Sequence, residues 1–175
     1  FLERLAADMT EFSQQESGRL CYRFETIEIK AFLKDMAAEY RQETEDKGLA
    51  FSLNLPEETV LIRADRHRLQ RVVQNLLSNA MKYNKPGGSI HVSLETAAPY
   101  AYIRVADSGI GIGGDSLKKV FDTFYREDSS RGNVSGHGLG LAIAKQIIEN
   151  HRGKIWVQSR AGQGTEVFLC LPLSQ

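Results

Sequence analysis

The sequence predicts an α/β fold, a two-layer sandwich in which a mixed sheet of about five main strands carries about three helices on one face. Two observations predict it. Short segments of alternating apolar residues occur mostly in pairs, as strands do, while three longer segments between them have the 3–4 spacing of helices. The order is β, α, β, β, α, β, β, α, β, β, and a short helical remnant precedes it.

Composition and charge argue against several classes of function. The chain has 175 residues, 42% hydrophobic and 25% charged, with a formal net charge of +0, which suits one soluble domain with no nucleic-acid partner and no attraction to membranes. No apolar run approaches the roughly 18 residues of a membrane span, and no signal peptide is visible. Cys21 and Cys170 match no metal or redox spacing, so we expect Cys170 in the core and a cytoplasmic location. Because the chain begins at Phe1, we expect a piece of a longer protein.

The first segment, 1–13, has apolar residues at Leu2, Leu5, Met9 and Phe12. Steps of three and four give a narrow, coiled-coil-like seam on a helix too short to be stable without a partner helix. We expect Gly18 to end this segment, and we predict a strand over 19–25.

The remaining elements follow from periodicity and from turn residues. They are a helix over 29–47, strands over 49–55 and 60–64, a helix over 69–83 after the N-cap Asp65, a hairpin of strands 89–96 and 100–106, a helix over 139–150, and closing strands over 154–159 and 165–171.

The helix over 69–83 organises the chain. Its apolar stripe faces a core, and its opposite face is polar. The stripe comprises Leu69, Val72, Val73, Leu76, Leu77, Ala80 and Met81; the polar face comprises Arg71, Asn75, Ser78, Asn79 and Lys82, with Tyr83 at the border. Two asparagines four residues apart do not favour helix stability. Taken alone, they also fit an ordinary solvated face.

Three glycine-rich segments favour a binding role for that face. Residues 107–114 read Asp-Ser-Gly-Ile-Gly-Ile-Gly-Gly, and Gly109, Gly111 and Gly114 satisfy the dinucleotide pattern G-x-G-x-x-G. The preceding strand belongs to a hairpin rather than a βαβ unit, however, and Asp107 would repel a pyrophosphate. A carboxylate at this place suits an amine donor better.

The second and third segments suit phosphates and a turn. Residues 136–141, Gly-His-Gly-Leu-Gly-Leu, run directly into a helix, whose free N–H groups can bind phosphate, although a plain flexible loop is the alternative. Residues 162–165, Gly-Gln-Gly-Thr, lie between the last two strands and alone indicate only a turn.

Together, Asn75-x-x-x-Asn79 and the three glycine segments have the order and rough spacing of one known ATP site. The chain resembles the catalytic ATP-binding domain of bacterial two-component sensor histidine kinases, in the Bergerat-fold superfamily with gyrase and heat-shock-chaperone ATPases. The resemblance covers 18–175 and implies an ATP lid at about 113–136, which contains a Phe box at 121–126. Residues 1–17 resemble the tail of a dimerisation helix and linker.

The resemblance implies roles for single residues. Asp107 would accept a hydrogen bond from the adenine amino group, Thr165 would hold the same base edge, and Tyr83 would pack on the nucleotide. Asn79 would bind Mg²⁺, with Asn75 as a possible second ligand, and Lys82 would reach the phosphates. Backbone and lid positions complete the expected site: Gly109, Gly111, Ile112, Phe124, Arg126, Gly136, His137, Gly138, Leu139 and Gly140. Phe121 and Phe124 would anchor the lid, unless both are plain core residues, and Arg131 is a weaker candidate.

Asn75 stands where the superfamily's hydrolases carry a glutamate base, so the site should preserve ATP for another acceptor. None of the four histidines has the acidic successor of an acceptor histidine, so we expect no catalytic residue in this chain beyond ATP positioning and no self-phosphorylation. The expected activity is transfer of the γ-phosphate of Mg-ATP to a histidine on dimerisation helices outside this chain, and then to a response regulator.

Two alternatives stay open at this point. One is a serine kinase of the anti-sigma type, which shares these boxes, and the other is a nucleotide-gated interaction module without transfer activity. We expect no membrane contact by this domain, although the full-length kinase can be anchored in the inner membrane.

Overall fold

A computed structural model of the chain describes residues 6, 7, 9, 10, 13, 14, 21–125 and 138–174. Regular elements follow one another in the predicted order. They are β1 (Glu25–Glu28), α1 (Ile29–Asp46), β2 (Ala50–Asn54), β3 (Leu61–Ala64), α2 (Arg66–Lys82), β4 (Ser89–Ala97), β5 (Tyr100–Asp107), α3 (Gly114–Leu117), α4 (Gly140–Asn150), β6 (Lys154–Arg160) and β7 (Gly164–Pro172). Among the residues described, no helix is both long enough and apolar enough to span a bilayer.

The main sheet has five strands in the order β2-β4-β5-β7-β6. β2 runs parallel to β4, and all other neighbours are antiparallel, so the predicted mixed sheet is confirmed. β1 and β3 form a separate antiparallel pair beside it.

The core lies between one face of this sheet and the helices. All seven residues of the predicted α2 stripe are buried, and they meet the buried side chains of the central strands, such as Val92 and Ile103. Cys170 is also buried, as predicted. The opposite face of the sheet is half-exposed, and there the rings of Trp156 and Phe168 stack with centroids 5.3 Å apart.

The strand predicted over 19–25 is wrong in its described part, and residues 19 and 20 lie outside the described residues. Residues 21–24 are not in regular structure, and the first strand is instead Glu25–Glu28, whose Ile27 is buried opposite Ile62. The rings of Tyr22 and Phe24 lie against His151 near the other end of the chain. That contact, rather than a neighbouring strand, holds the segment.

Smaller differences concern the segments with weak patterns. The short helix α3 forms in a segment for which no helix or strand was predicted. In the first segment, residues 6, 7, 9, 10, 13 and 14 are helical, as predicted, while Gly18 lies outside the described residues. The helix α2 begins at Arg66, three residues before its predicted start, and the other elements end within one residue of their predicted bounds.

Two polar contacts join the antiparallel helices α2 and α4, one at each end of the pair. At one end, the buried His151 ring accepts a hydrogen bond at Nε2 from the Asp65 amide (2.9 Å), and its Nδ1 lies 2.7 Å from the Ile147 carbonyl oxygen. Burial lowers the pKa of His151 and so favours the neutral ring, and because Nε2 accepts from an amide, the ring hydrogen lies on Nδ1. At the other end, the Asn75 side chain donates to the Gly140 carbonyl (3.1 Å).

Asp65 caps α2, as predicted. Its Oδ1 accepts from the Arg68 amide (3.1 Å), and its Oδ2 accepts from the Arg23 amide (2.8 Å). Desolvation raises the pKa of this carboxyl, but the two amides and the neighbouring Arg68 charge outweigh it, and the net shift is downward. The start of α2, the end of α4 and the segment 21–24 are therefore held together by one buried cluster.

Candidate functional site

The carboxyl end of β5 places Asp107 between two strands, with Ile90 of β4 on one side and Thr165 of β7 on the other. Asp107 Oδ1 accepts from the amides of Gly109 (2.8 Å) and Thr165 (3.3 Å). Among the described residues, its Oδ2 has no hydrogen-bond partner. The carboxyl group is thus oriented by the backbone and keeps one oxygen for an external donor.

Burial raises the pKa of Asp107 to about 6, although both backbone amides act in the opposite direction. A carboxylate held in such a desolvated position gains more from a ligand N–H donor than an exposed one does. This is the kind of perturbed group that marks functional sites.

The glycine segment after Asp107 lies directly against the turn between β6 and β7. Gly111 has φ +69°, and a Cβ there would come within 2.0 Å of the Arg160 carbonyl oxygen, so only glycine fits. The Gly162 amide donates to the Ile110 carbonyl (2.6 Å), and the Ile112 amide donates to Ser159 Oγ (2.8 Å). The first and last glycine segments therefore form one unit.

The end of α2 joins this unit through Tyr83. Its carbonyl oxygen accepts from the Ile110 amide (2.9 Å), while its own amide continues the helix by donating to Asn79 (3.0 Å). The glycine segment and the polar face of α2 are therefore parts of the same site.

The polar face of α2 is half-buried rather than solvated, since every member of the predicted set is only partly exposed. The Asn75 side chain is held by its hydrogen bond to the Gly140 carbonyl oxygen. The two residues are close, since a Cβ added at Gly140 would lie 3.4 Å from the Asn75 side chain. The side-chain amide of Asn79 has no hydrogen-bond partner among the described residues. Lys82 lies one turn of helix further on.

The start of α4 follows Gly138 and Leu139. Gly138 has φ +71°, and a Cβ there would lie 2.6 Å from the Tyr125 carbonyl oxygen. Leu139 is buried and N-caps α4, and within the described residues no side chain caps the first turn. Uncapped N–H groups at the start of a helix of 11 residues are suited to an anion.

The described part of the lid corrects one expectation. Phe124 is 57% exposed and has φ +62°, so its prediction as an apolar anchor is wrong. It is held by its backbone instead, because its amide donates to the Gly138 carbonyl (2.9 Å). Tyr125 and Phe121 do pack, since the Tyr125 hydroxyl donates to Ser116 (2.9 Å) and Lys145 Nζ lies 5.9 Å from the Phe121 ring centroid.

Four predicted residues lie outside the described residues: Arg126, Arg131, Gly136 and His137. Ser159 was not among the predicted residues, although its hydroxyl contacts both glycine segments at the base of the site. The available signal was its position six residues before Thr165 across a predicted hairpin turn, which places the two side chains opposite each other.

A magnesium ion fits this site through oxygen ligands. Among the described residues, no group of three or more histidine, cysteine or acidic side chains could hold a metal. Mg²⁺ prefers one or two protein oxygens together with water and phosphate oxygens. The side-chain amide of Asn79, which has no hydrogen-bond partner among the described residues, offers such an oxygen. Asn75 is a second candidate through its Oδ1, which the hydrogen bond from its Nδ2 to the Gly140 carbonyl leaves available.

Known sequences match this chain along nearly all its length. The family model of histidine kinase-, DNA gyrase B- and HSP90-like ATPases matches residues 64–175. The chain is 35% identical to the sensor histidine kinase WalK of Bacillus subtilis (strain 168) over 98% of its own length. It spans only 28% of that relative.

Solved structures agree with this match. The catalytic domain of histidine kinase ThkA has a TM-score of 0.76 at 26% identity, over 86% of this chain and 97% of that one. ThkA in complex with response regulator protein TrrA has a TM-score of 0.81 at 24% identity, over 99% of this chain and 48% of that one, and supports the fold alone. The chain therefore belongs to the histidine kinase-, DNA gyrase B- and HSP90-like ATPase family and is homologous to sensor histidine kinases.

Proposed function

We propose that this chain binds Mg-ATP and donates the γ-phosphate to a histidine on a dimerisation domain outside it, as the catalytic domain of a sensor histidine kinase. The single observation that carries the proposal is the Asp107 carboxylate. Its Oδ1 is bonded to two backbone amides, so its Oδ2 is left as an oriented acceptor.

An oriented carboxylate acceptor selects adenine. The exocyclic amino group of adenine donates a hydrogen bond to it, whereas guanine would present a carbonyl oxygen at that place. Two acceptors facing each other in a desolvated site leave both unpaired, which sites of this kind reject by large factors. Thr165 lies beside Asp107 in the sheet and would contact the same base edge.

The phosphate end of the site lies on α2 and α4. The uncapped first turn of α4, after Gly138 and Leu139, would bind the phosphates, and Lys82 would reach them as a point charge. Asn79 would hold Mg²⁺, which neutralises charge on the phosphates when bound. The lid positions Phe124 and Arg126 would close over the nucleotide, with Gly136 and His137 at its far end.

Asn75 supports a kinase rather than a hydrolase. An amide has no usable basicity toward water, and its Nδ2 is already bonded to Gly140. The protein would then supply positioning and charge neutralisation, and the acceptor would supply the nucleophile.

The partners follow from this division of labour. We propose that 18–175 is the catalytic domain and 1–17 the tail of a dimerisation helix, so that the acceptor histidine is on the helices of that dimerisation domain. A response regulator receiver domain would then take the phosphoryl group. A relative of the same fold, ThkA, is known in complex with response regulator protein TrrA. Use of ATP and two unpaired cysteines favour the cytoplasm as the site of action.

Calorimetry tests nucleotide choice. We expect binding of Mg-ATP and at least a hundredfold weaker binding of Mg-GTP, about the discrimination that a site built for one hydrogen-bonding pattern gives. Equal affinity for both would remove Asp107 from base recognition.

A phosphotransfer assay tests whether the phosphoryl acceptor lies on the dimerisation domain rather than on this chain. The isolated chain is incubated with γ-labelled ATP, alone and with a dimerisation domain from a homologous kinase. We expect no label on the chain itself and acid-labile label on the added domain, the behaviour of a phosphohistidine. Strong self-labelling of the chain, or acid-stable label on a serine, would contradict the proposal.

A further inference from the structure

Ser159 lies at the base of the candidate site without any role in the function proposed above. It belongs to β6, and the sheet places it opposite Thr165 of β7, which in turn lies opposite Asp107 of β5. The three side chains therefore form one row across three strands. Row neighbours of this kind contact each other directly.

Three atoms surround the Ser159 hydroxyl oxygen. The Ile112 amide nitrogen lies at 2.8 Å, the Gly164 carbonyl oxygen at 2.7 Å and Thr165 Oγ1 at 2.9 Å. A serine hydroxyl has one hydrogen to donate and two lone pairs to accept with. Three partners use this capacity completely.

The chemistry of the three partners fixes the direction of each bond. The Ile112 amide can only donate, so Ser159 accepts from it. The Gly164 carbonyl can only accept, so the single hydrogen of Ser159 points to that oxygen. Ser159 can then only accept from Thr165, and the hydroxyl hydrogen of Thr165 points at Ser159 rather than into the site.

We propose that Ser159 is a positioning residue for base recognition: by taking the hydroxyl hydrogen of Thr165, it turns Thr165 Oγ1 into an acceptor beside Asp107. This inference rests on the proposed function and deepens it. Asp107 Oδ2 and Thr165 Oγ1 then form a wall of two acceptors for the group at C6 of the base. An amino group at C6 of a purine, with two N–H donors, matches such a wall, and a keto oxygen at C6 does not.

Without Ser159, Thr165 can rotate its hydroxyl and donate. A threonine hydroxyl adapts to either partner when nothing fixes its hydrogen. Thr165 could then satisfy a keto oxygen, and discrimination at C6 would depend on Asp107 alone. Ser159 therefore contributes specificity without touching the nucleotide.

The test compares Mg-ATP with Mg-ITP, whose base carries a keto oxygen at C6, as guanine does, but lacks the amino group of guanine at C2. Calorimetry gives the ratio of the two affinities for the wild type, Ser159→Ala, Thr165→Val and the double variant. We expect Ser159→Ala to lower the ATP-to-ITP affinity ratio about tenfold, the value of one hydrogen bond gained or lost. In the Thr165→Val background, the Ser159 substitution should no longer change the ratio.

Ser52→Ala is the matched control. It removes a sheet hydroxyl with a hydrogen bond of similar length, 2.7 Å to His91, and should leave the ratio unchanged. A Ser159→Thr variant keeps the hydroxyl and should keep the wild-type ratio. If Ser159→Ala does not fold, Ser159→Thr and Ser159→Val give the same comparison with side chains of equal shape.

The outcomes separate the two proposals. An unchanged ratio in Ser159→Ala, or an equal loss with and without the Thr165 hydroxyl, would overturn the role of Ser159 and leave ATP binding intact. A wild type that binds neither nucleotide would overturn the proposed function and this inference with it.

Discussion

Asp107→Asn is expected to make the nucleotide-free protein more stable and to weaken ATP binding at the same time. Asparagine has nearly the shape of aspartate, and its side-chain oxygen can still accept from the amides of Gly109 and Thr165. What the substitution removes is a negative charge in a desolvated position.

The magnitude follows from the pKa of Asp107, which burial raises from 3.8 to about 6. An increase of about two in the pKa corresponds to a free-energy cost of about 3 kcal/mol for the ionised carboxylate in the folded protein. Solvent reaches part of the site and screens the charge, so we expect the variant to gain about 1–2 kcal/mol at pH 8.

The pH dependence gives the sign of the effect. Because the folded-state pKa lies above the unfolded value, ionisation favours unfolding. Below about pH 4 the carboxyl is protonated in both states and contributes no difference. The penalty grows as the pH rises from about 4 to about 6 and is constant above about pH 7, so the stability advantage of the variant should appear between pH 4 and 6 and then stay level.

Urea unfolding of both proteins, followed by circular dichroism from pH 4 to 8, measures this difference. Asp122→Asn, which removes an exposed carboxylate, is the control and should change stability by less than about 0.5 kcal/mol. A variant that is less stable at pH 8, or a difference that does not vary with pH, would refute the reasoning. Calorimetry on the same variant should show at least about tenfold weaker Mg-ATP binding.

Three further predictions follow from the helix pair and the lid. Asn79→Ala should abolish the Mg²⁺ dependence of triphosphate binding, and an unchanged metal titration would remove Asn79 from the site. His151, whose pKa is lowered by burial, contributes stability that is complete above pH 6.5 and is lost as the pH falls below it; His151→Gln should remove this part of the acid sensitivity in urea unfolding, and an identical pH profile would refute it. Gly138→Ala should weaken ATP binding severalfold by calorimetry, because a Cβ would meet the Tyr125 carbonyl at 2.6 Å, and wild-type affinity would contradict this.

Local patterns predicted most of the fold. The α2 stripe, the Asp65 cap and the hairpin of β4 and β5 depend on residues near one another in the chain, and all three are confirmed. Residues 19–25 show the limit of this approach. Tyr22 and Phe24 alternate as strand residues do, but they contact His151, which is more than a hundred positions away.

The candidate site shows the same division. The glycine segments were singled out by their order and spacing, and the role of Asp107 followed from the family resemblance. Ser159 was missed, since a lone polar residue in a strand looks like part of a solvated face. Phe124 was predicted as an anchor because it is aromatic, but its environment leaves it 57% exposed. Aromatic character gives a preference for burial, and the neighbours decide whether burial occurs.

Neighbouring residues alone were enough to predict most elements and the mixed sheet, because periodicity, caps and turn glycines act over a few positions, whereas the site residues stay predictions. The surroundings of the candidate site residues come from the packed fold. In the folded chain, Oδ1 of Asp107 accepts hydrogen bonds from two backbone amides, and burial raises the pKa of that carboxyl group. The hydroxyl of Ser159 lies within hydrogen-bond distance of Thr165 Oγ1. Each of these three features depends on contacts between segments that are distant in the chain. Desolvation and hydrogen-bond direction are set by the packed surroundings of a group, and a residue's neighbours in sequence do not fix them.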